Sequence, residues 1–410
     1  MEIAIPTIGT RGDVQPFIAL AQGLAAAGHS VTLLSHPVMG ELVRSHGVQF
    51  APVGPDVDLG VETAVIRDRS GIVLVGVMRA MQFSFDMLKR SHQDILAGCR
   101  GADLVVYSAQ SAAGRNEADL LGIPAVSVQL MPWAIPADDP GRPLYKRIGY
   151  GAMDQAVSLI TTRPLNRLRM EIGLAPVGPE GFASRHLNLV PVSPLVFEPN
   201  PGWATRNRQV GYWFAEEPGD WQPDADLVSF LDAGEPLLVV SLGAMSLGGS
   251  SKARETAAIF IDVLQRLGVR AIVQGWDELL DQAALTPSLF NAGSIPHSWL
   301  LLHAAGLVHH GGFGTTAAGF RAGIPQLVIP HLVDQYSWGQ RVRQLGVGPA
   351  PIARQRLDPE KLAAGLEELL GNPELAAAAS RLGEGIRTEQ GLQAAVGLLE
   401  SLESGAPGDP

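Results

Sequence analysis

The chain reads as an α/β protein of two doubly wound, Rossmann-like halves with parallel sheets. Three observations predict this. Short apolar, strand-like runs alternate with helical stretches from one end to the other. The alternation is interrupted by a stretch punctuated with Pro and Gly, about 191–223, and then resumes. The length, 410 residues, is enough for two separate cores.

The elements follow in order. Glu2–Ile8 is a buried strand, and a helix is expected from about Pro16 to Ala27, stopped by Gly28. Ser30–Ser35 is a second strand, rich in Val, Thr and Leu. Asp103–Ser108 and Ala125–Gln129 repeat the pattern around a helical segment. Arg79–Leu96 and Leu144–Ile172 read as longer helices over one end of the sheet, placed to line a cleft. After the interruption, Leu237–Gly243 begins a second run, with a helix at Lys252–Leu267 and a strand at Arg270–Gln274. Gly306-Leu307-Val308 and Gln326–Pro330 are further strands, and the tail from Asp358 has helical period. The expected division is 1–215, 216–385 and a C-terminal helix, 386–410, packing back on the first half. Ligands are expected at the carboxyl ends of the strands, in a gap that two facing halves share.

Composition narrows the function. With 46% hydrophobic and 17% charged residues the chain is globular. A net charge of −11 argues against a nucleic-acid footprint. The single cysteine, Cys99, excludes an intrachain disulfide and fits a reducing compartment. Met1–Pro6 lacks the basic and apolar regions of a signal peptide, and apolar runs are too short to span a bilayer. A cytoplasmic protein is expected.

The most informative stretch is His309-His310-Gly311-Gly312-Phe313-Gly314-Thr315-Thr316. A strand that ends in glycines and opens a helix, here read from Ala317 with a Thr as N-cap, is a ready anion site. Of the two histidines only one should reach the anion, since neighbouring strand residues face opposite ways. Asp334-Gln335 follows the next strand and carries groups suited to sugar hydroxyls; Asp334 also suits the N-cap of a helix from about Tyr336.

Together with Gly9-Thr10-Arg11-Gly12-Asp13-Val14-Gln15-Pro16, Leu130–Trp133, Asn166, Arg169, Leu174, Ser193-Pro194, Gly211–Phe214 and Ile295–Leu300, these motifs occur in family order. The chain resembles the inverting nucleotide-sugar glycosyltransferases of the two-Rossmann GT-B architecture, most of all the sterol glucosyltransferase and glycopeptide-antibiotic branch. The resemblance implies transfer of a glucose-type sugar from a nucleoside diphosphate, UDP-glucose in preference to a TDP-sugar, to a hydroxyl of a lipophilic small molecule. It makes Asp13, expected in the loop after the first strand, the general base, a role to set beside capping of the following helix. It assigns His310, Gly312, Gly314, Thr315, Gly243, Arg11 and Thr10 to the diphosphate, and Asp334 and Gln335 to the sugar. The nucleobase falls to Trp276, Ile295 and His297; Trp276 reads equally as a core residue. Ala244 stands where the family has a serine, with Ser246 as a substitute, and Ser294 where plant relatives stack a tryptophan, which keeps thymidine nucleotides open.

An apolar acceptor pocket is expected from the first half, at Met81, Phe85, Met131, Trp133 and Met153. Asp119 reads as a solvated face. Asp56-Val57-Asp58 and Asp224-Ala225-Asp226 fall outside the motifs, and no metal or other cofactor beyond the co-substrate is expected. Rival readings are a TDP-deoxysugar transferase of antibiotic tailoring, a nucleotide-sugar epimerase and an inactive accessory protein.

Overall fold

The computed structural model describes residues 1–68, 73–135, 162–178, 183–219, 221–234, 237–243, 251–276, 287–293, 295–331 and 333–403. Met153, Ser246, Ser294, Ala244 and most of the helix expected at Leu144–Ile172 lie outside them. The chain forms two compact units: Met1–Leu59, Val77–Glu216 and Gln390–Pro410 make the first, and Gly60–Gly76 with Glu217–Glu389 the second. The first half is therefore not continuous. Leu59, Phe83, Phe85, Met87 and Leu88 enter the first sheet's core, whereas no described residue of 60–76 does.

In the first unit's part of the chain, β1 (Glu2–Pro6), α1 (Arg11–Ala26), β2 (Ser30–Ser35), α2 (Gly40–Ser45) and β3 (Gln49–Pro52) come first. Then follow α3 (Leu59–Asp68), all but its first residue in the second unit, and α4 (Val73–Gly98), in the first unit from Val77 on; β4 (Leu104–Ser108), α5 (Arg115–Leu121), β5 (Ala125–Val128) and a helix α6 at 162–171 come next. The run closes with β6 (Leu187–Val190) and β7 (Asn207–Gln209). All strand pairs are parallel, in the order β3-β2-β1-β4-β5-β6-β7. The central strands are mostly apolar because helices cover both faces; β4 and β5 are buried at every position. β7 lies inside the stretch read as a linker: Asn207-Arg208-Gln209 is an edge strand, too short and polar to show a pattern.

Three helix starts correct the sequence reading. α1 begins at Arg11, with Pro16 inside it, so Asp13 belongs to its first turn and not to a loop. Gly28, at φ 91°, ends the turn after α1.

The second unit contains α7 (Ala225–Asp232), β8 (Leu237–Ser241), α8 (Ser251–Leu267), β9 (Arg270–Gln274), β10 (Leu289–Ala292) and α9 (His297–Leu300). β11 (Gly306–His309), α10 (Phe313–Ala322), β12 (Gln326–Val328), α11 (Val333–Gln344), α12 (Pro359–Gly371) and α13 (Pro373–Thr388) complete it. Its five strands are parallel in the order β10-β9-β8-β11-β12. Here α10 starts at Phe313 with Gly312 as N-cap, four residues earlier than expected, and α11 at Val333, so Asp334 lies in its first turn and not at the N-cap position. Asp224 of one Asp-x-Asp pair caps α7, its Oδ1 accepting from Leu227 N at 2.7 Å.

The last helix, α14 (Gly391–Glu403), returns to the first unit. It packs on α1, where Leu392 meets Gly23 and Glu400 sits 3.2 Å from His29. Trp213 Nε1 donates to the Gly391 carbonyl at 3.2 Å.

Candidate active site

Both sheets switch direction between their first and fourth strands in chain order, β1 beside β4 and β8 beside β11. Chain leaving the carboxyl ends of such neighbours diverges and opens a crevice for a ligand. Thr10 and Asp13 follow β1 in one unit, and Gly243, His310, Gly312, Gly314 and Thr315 follow β8 and β11 in the other.

In the first unit, Thr10 and Asp13 open α1. Asp13 Oδ2 accepts from Thr10 N at 2.8 Å and from Thr10 Oγ1 at 2.8 Å, so Asp13 does cap its helix. The carboxylate folds back over Gly9, where a Cβ would fall 2.6 Å from Oδ2; this is why a glycine stands there. Burial raises the Asp13 pKa above the ordinary 3.8, with the Thr10 N–H and hydroxyl working the other way. A carboxylate with raised proton affinity is suited to take a proton. Arg11 is exposed.

The four described acceptor candidates have separate surroundings. Met81 is half-buried on α4, while Phe85, also on α4, packs on buried Ala112, Leu165 and Val177. Met131 is half-buried after β5, and the exposed Trp133 lies against Phe197, ring centroids 6.5 Å apart. Phe85 is thus largely a packing residue. A depression of about 630 Å³ on α4 is lined by Phe83, Asp86, Met87, Lys89 and Arg90, not by Met81 or Phe85.

In the second unit the geometry is tighter. β8 and β11 pair in register, His309 opposite Ser241, so Gly243 and His310 leave the sheet side by side. The His310 ring lies between two glycines. A Cβ on Gly243 would stand 2.7 Å from its Cε1, and one on Gly312 would overlap its Nε2. Burial lowers the His310 pKa to about 4, the Ser241 backbone offsetting part of this, so the ring is neutral near pH 7. His309, by contrast, is fully buried.

Gly312 is the N-cap of α10 and has no side chain with which to cap it. A helix start leaves its first backbone N–H groups without intrahelical acceptors, and the helix dipole adds positive potential there. Gly314 and Thr315 lie half-buried in that first turn. Thr316 turns inward, its hydroxyl donating to the Gly312 carbonyl at 2.8 Å. Beside it, Gln335 is 5% exposed, and its Oε1 accepts from His331 N at 2.7 Å. Asp334 is half-buried.

Ile295 and His297 converge on Gln274 at the carboxyl end of β9. Gln274 Nε2 donates to the Ile295 carbonyl at 3.2 Å, and its Oε1 lies 3.0 Å from His297 Nε2. Trp276 does not join them. It is 0% exposed and stands edge-on to Phe260 in the core, 5.7 Å between centroids, so neither face is open to a base.

Sequence reasoning missed a buried polar cluster in the first unit. His92 Nδ1 lies 2.6 Å from Glu117 Oε1, and Glu117 Oε2 accepts from Gly114 N at 3.0 Å. Arg169 pairs with Asp119 at 2.7 Å and donates to Asn116 Oδ1 at 2.9 Å, so Asp119 is not merely solvated. Asn166 closes a loop on Val177 through both its amide atoms. These contacts tie α4, α5 and α6 together. Among the described residues no group of three or more His, Cys, Asp or Glu is placed to hold a metal, and no helix is long and apolar enough to cross a membrane.

The fold class is that of the GT-B enzymes. The glycosyltransferase of kitacinnamycin superposes with a TM-score of 0.74 at 20% identity, covering 98% of each chain. The glycosyltransferase VinC in complex with DTDP follows with 0.69 at 22%, covering 98% of this chain and 99% of that one. Residues 3–136 match the glycosyltransferase family 28 N-terminal domain, and 261–402 the erythromycin biosynthesis protein CIII-like C-terminal domain. O-mycaminosyltylonolide 6-deoxyallosyltransferase of Streptomyces fradiae is 32% identical over 98% of this chain and 97% of that protein. Sterol 3-beta-glucosyltransferase of Aspergillus terreus is 32% identical over 97% of this chain, which spans only 29% of that enzyme's length. The chain belongs to this glycosyltransferase family, which holds both sterol and antibiotic glycosyltransferases.

Proposed function

We propose that the chain transfers a glucose-type sugar, with inversion, from a nucleoside diphosphate to a hydroxyl of a lipophilic small molecule, giving a β-glycoside. The observation that carries this is the second unit's cradle: a helix start whose N-cap has no side chain, beside a neutral His310 ring seated between Gly243 and Gly312. Such a cradle suits the leaving diphosphate, whose charge grows as the bond to the anomeric carbon breaks. Thr315 and Gly314 belong to the same turn, with Arg11 and Thr10 as further diphosphate candidates from the first unit. Asp334 and Gln335 serve the sugar, and Ile295 and His297 the base.

Asp13 is the base. As the acceptor oxygen attacks the anomeric carbon, its proton passes to the Asp13 carboxylate, and the electrons of the broken bond leave with the diphosphate. Met81, Met131 and Trp133 contribute apolar surface for the acceptor. UDP-glucose is the favoured donor. A TDP-deoxysugar is the second reading, supported by the Streptomyces fradiae deoxyallosyltransferase, which this chain matches along 97% of its length.

Incubation with UDP-glucose, TDP-glucose and a TDP-6-deoxyhexose, each against sterol, phenolic and macrolide acceptors, tests the reading by mass spectrometry. A β-hexoside formed from UDP-glucose supports it. Product from the deoxysugar donor alone moves the assignment to the second reading, and a modified sugar nucleotide released without acceptor removes both.

A further inference from the structure

Within that functional reading, one residue stands outside every assigned role. His309 is fully buried, yet it carries two ring nitrogens into an apolar sheet. Its Nδ1 accepts a hydrogen bond from Gly311 N at 3.1 Å. An accepting Nδ1 is unprotonated, so the neutral ring carries its proton on Nε2. Burial, with His310 and His297 nearby, keeps the ring neutral, and the neighbouring Gln326 works slightly against this.

The turn that this bond holds is under close constraint. Gly311 has φ 89°, a left-handed conformation suited to glycine. A Cβ there would fall 2.7 Å from Val328 Cγ1 and 2.9 Å from the Gln335 carbonyl. The next residue, Gly312, lies against the His310 ring and begins α10. One four-residue turn therefore sets the His310 ring, the start of α10 and the spacing to Gln335.

We propose that His309 is a positioning residue for the donor: its Nδ1 pins the Gly311 N–H and so holds His310 and the α10 start in the geometry that receives a diphosphate. It touches no substrate. The inference rests on the functional reading, because the cradle must bind a nucleoside diphosphate for its positioning to matter.

The test compares two variants of the full chain with UDP and TDP as calorimetric ligands. An asparagine side chain accepts from the backbone N–H two residues on, as His309 does here, whereas leucine fills the site without an acceptor. His309→Leu is expected to weaken nucleoside diphosphate binding at least about tenfold and to raise donor KM with acceptor KM unchanged. His309→Asn is expected to stay within about threefold of the parent. A requirement for burial alone would not restore binding with asparagine. Equal losses in both variants, or no loss in His309→Leu, overturn the positioning role.

Should His309→Leu fail to fold, amide hydrogen exchange of the unaltered chain decides. Gly311 N–H is expected to be protected; exchange at the rate of an open loop overturns the proposal. An unaltered chain that binds neither UDP nor TDP overturns the functional reading first, and is distinguished from a chain that binds both while His309→Leu binds equally well.

Discussion

Gly243 and His310 are sequence-distant neighbours with no room between them: the missing side chain of one is the seat of the other's imidazole, 2.7 Å from where a Cβ would be. Gly243 also has φ 63°, so an alanine there is strained as well as crowded. Gly243→Ala is expected to displace the His310 ring and to weaken nucleoside diphosphate binding by at least about tenfold, roughly 1.4 kcal/mol. Titration calorimetry measures it. Unchanged affinity would mean that the ring position is irrelevant to the donor.

Asp13 carries two roles that substitution can separate. In Asp13→Asn the side-chain oxygen still accepts from Thr10, so the melting temperature is expected to stay within about 3 °C, a shift of roughly 1 kcal/mol. Turnover should drop about 10²- to 10⁴-fold, the usual worth of a general base. A variant that melts normally and retains its rate would leave Asp13 as a cap alone.

Acid should destabilise the second unit in a defined window. The folded His310 takes a proton only near pH 4, whereas its ordinary value is 6.5. Below about 6.5 the unfolded chain therefore binds more protons, so the contribution is complete above 6.5 and is lost as pH falls towards 4. His309, lowered well below 6.5, adds in the same sense. Asp13 acts oppositely: its raised pKa favours the folded state at low pH, and that contribution is lost as pH rises above 3.8 through the raised value. Calorimetric melting from pH 7.5 to 4.5 should show a falling Tm, with a shallower fall in His309→Asn. A flat profile would show that these rings are not held neutral by burial.

Trp276 should behave as core. Trp276→Ala is expected to cost about 3–5 kcal/mol by leaving a cavity beside Phe260. Trp276→Phe should lower Tm modestly and leave donor KM within about twofold. A large rise in donor KM with unchanged Tm would restore the stacking role that the sequence allowed.

How much could be read in advance follows from where each residue's conformation is decided. β2 and β9 were legible to the residue, Ser30–Ser35 and Arg270–Gln274, because buried parallel strands write their environment into apolar runs. β3 and β7, at the two edges of the first sheet, left no such mark. The helices that carry Asp13, the glycine motif and Asp334 all begin earlier than propensity implies. Arg11-Gly12 and Phe313-Gly314 look like loop, yet their glycines sit in first turns that tertiary contacts impose. The anion motif was visible as glycines in order; that Gly243 and Gly312 flank one ring was not, since it depends on the β8–β11 register. Trp276 was undecidable locally: only packing against Phe260 assigns it to the core.

The return of α14 has a consequence for biosynthesis. Gly391 abuts the backbone of Gly211 and Tyr212 so closely that a Cβ would fall 2.6 Å from Gly211 C. The unit holding Asp13 is thus assembled from stretches on either side of Glu217–Glu389, so most of the other unit is translated before α14. Its α1 surface stays bare while every residue between Ala26 and Gly391 emerges, at about 5–20 residues per second. A transcript cut short before Gly391 leaves the α1 face of the unit that holds Asp13 uncovered.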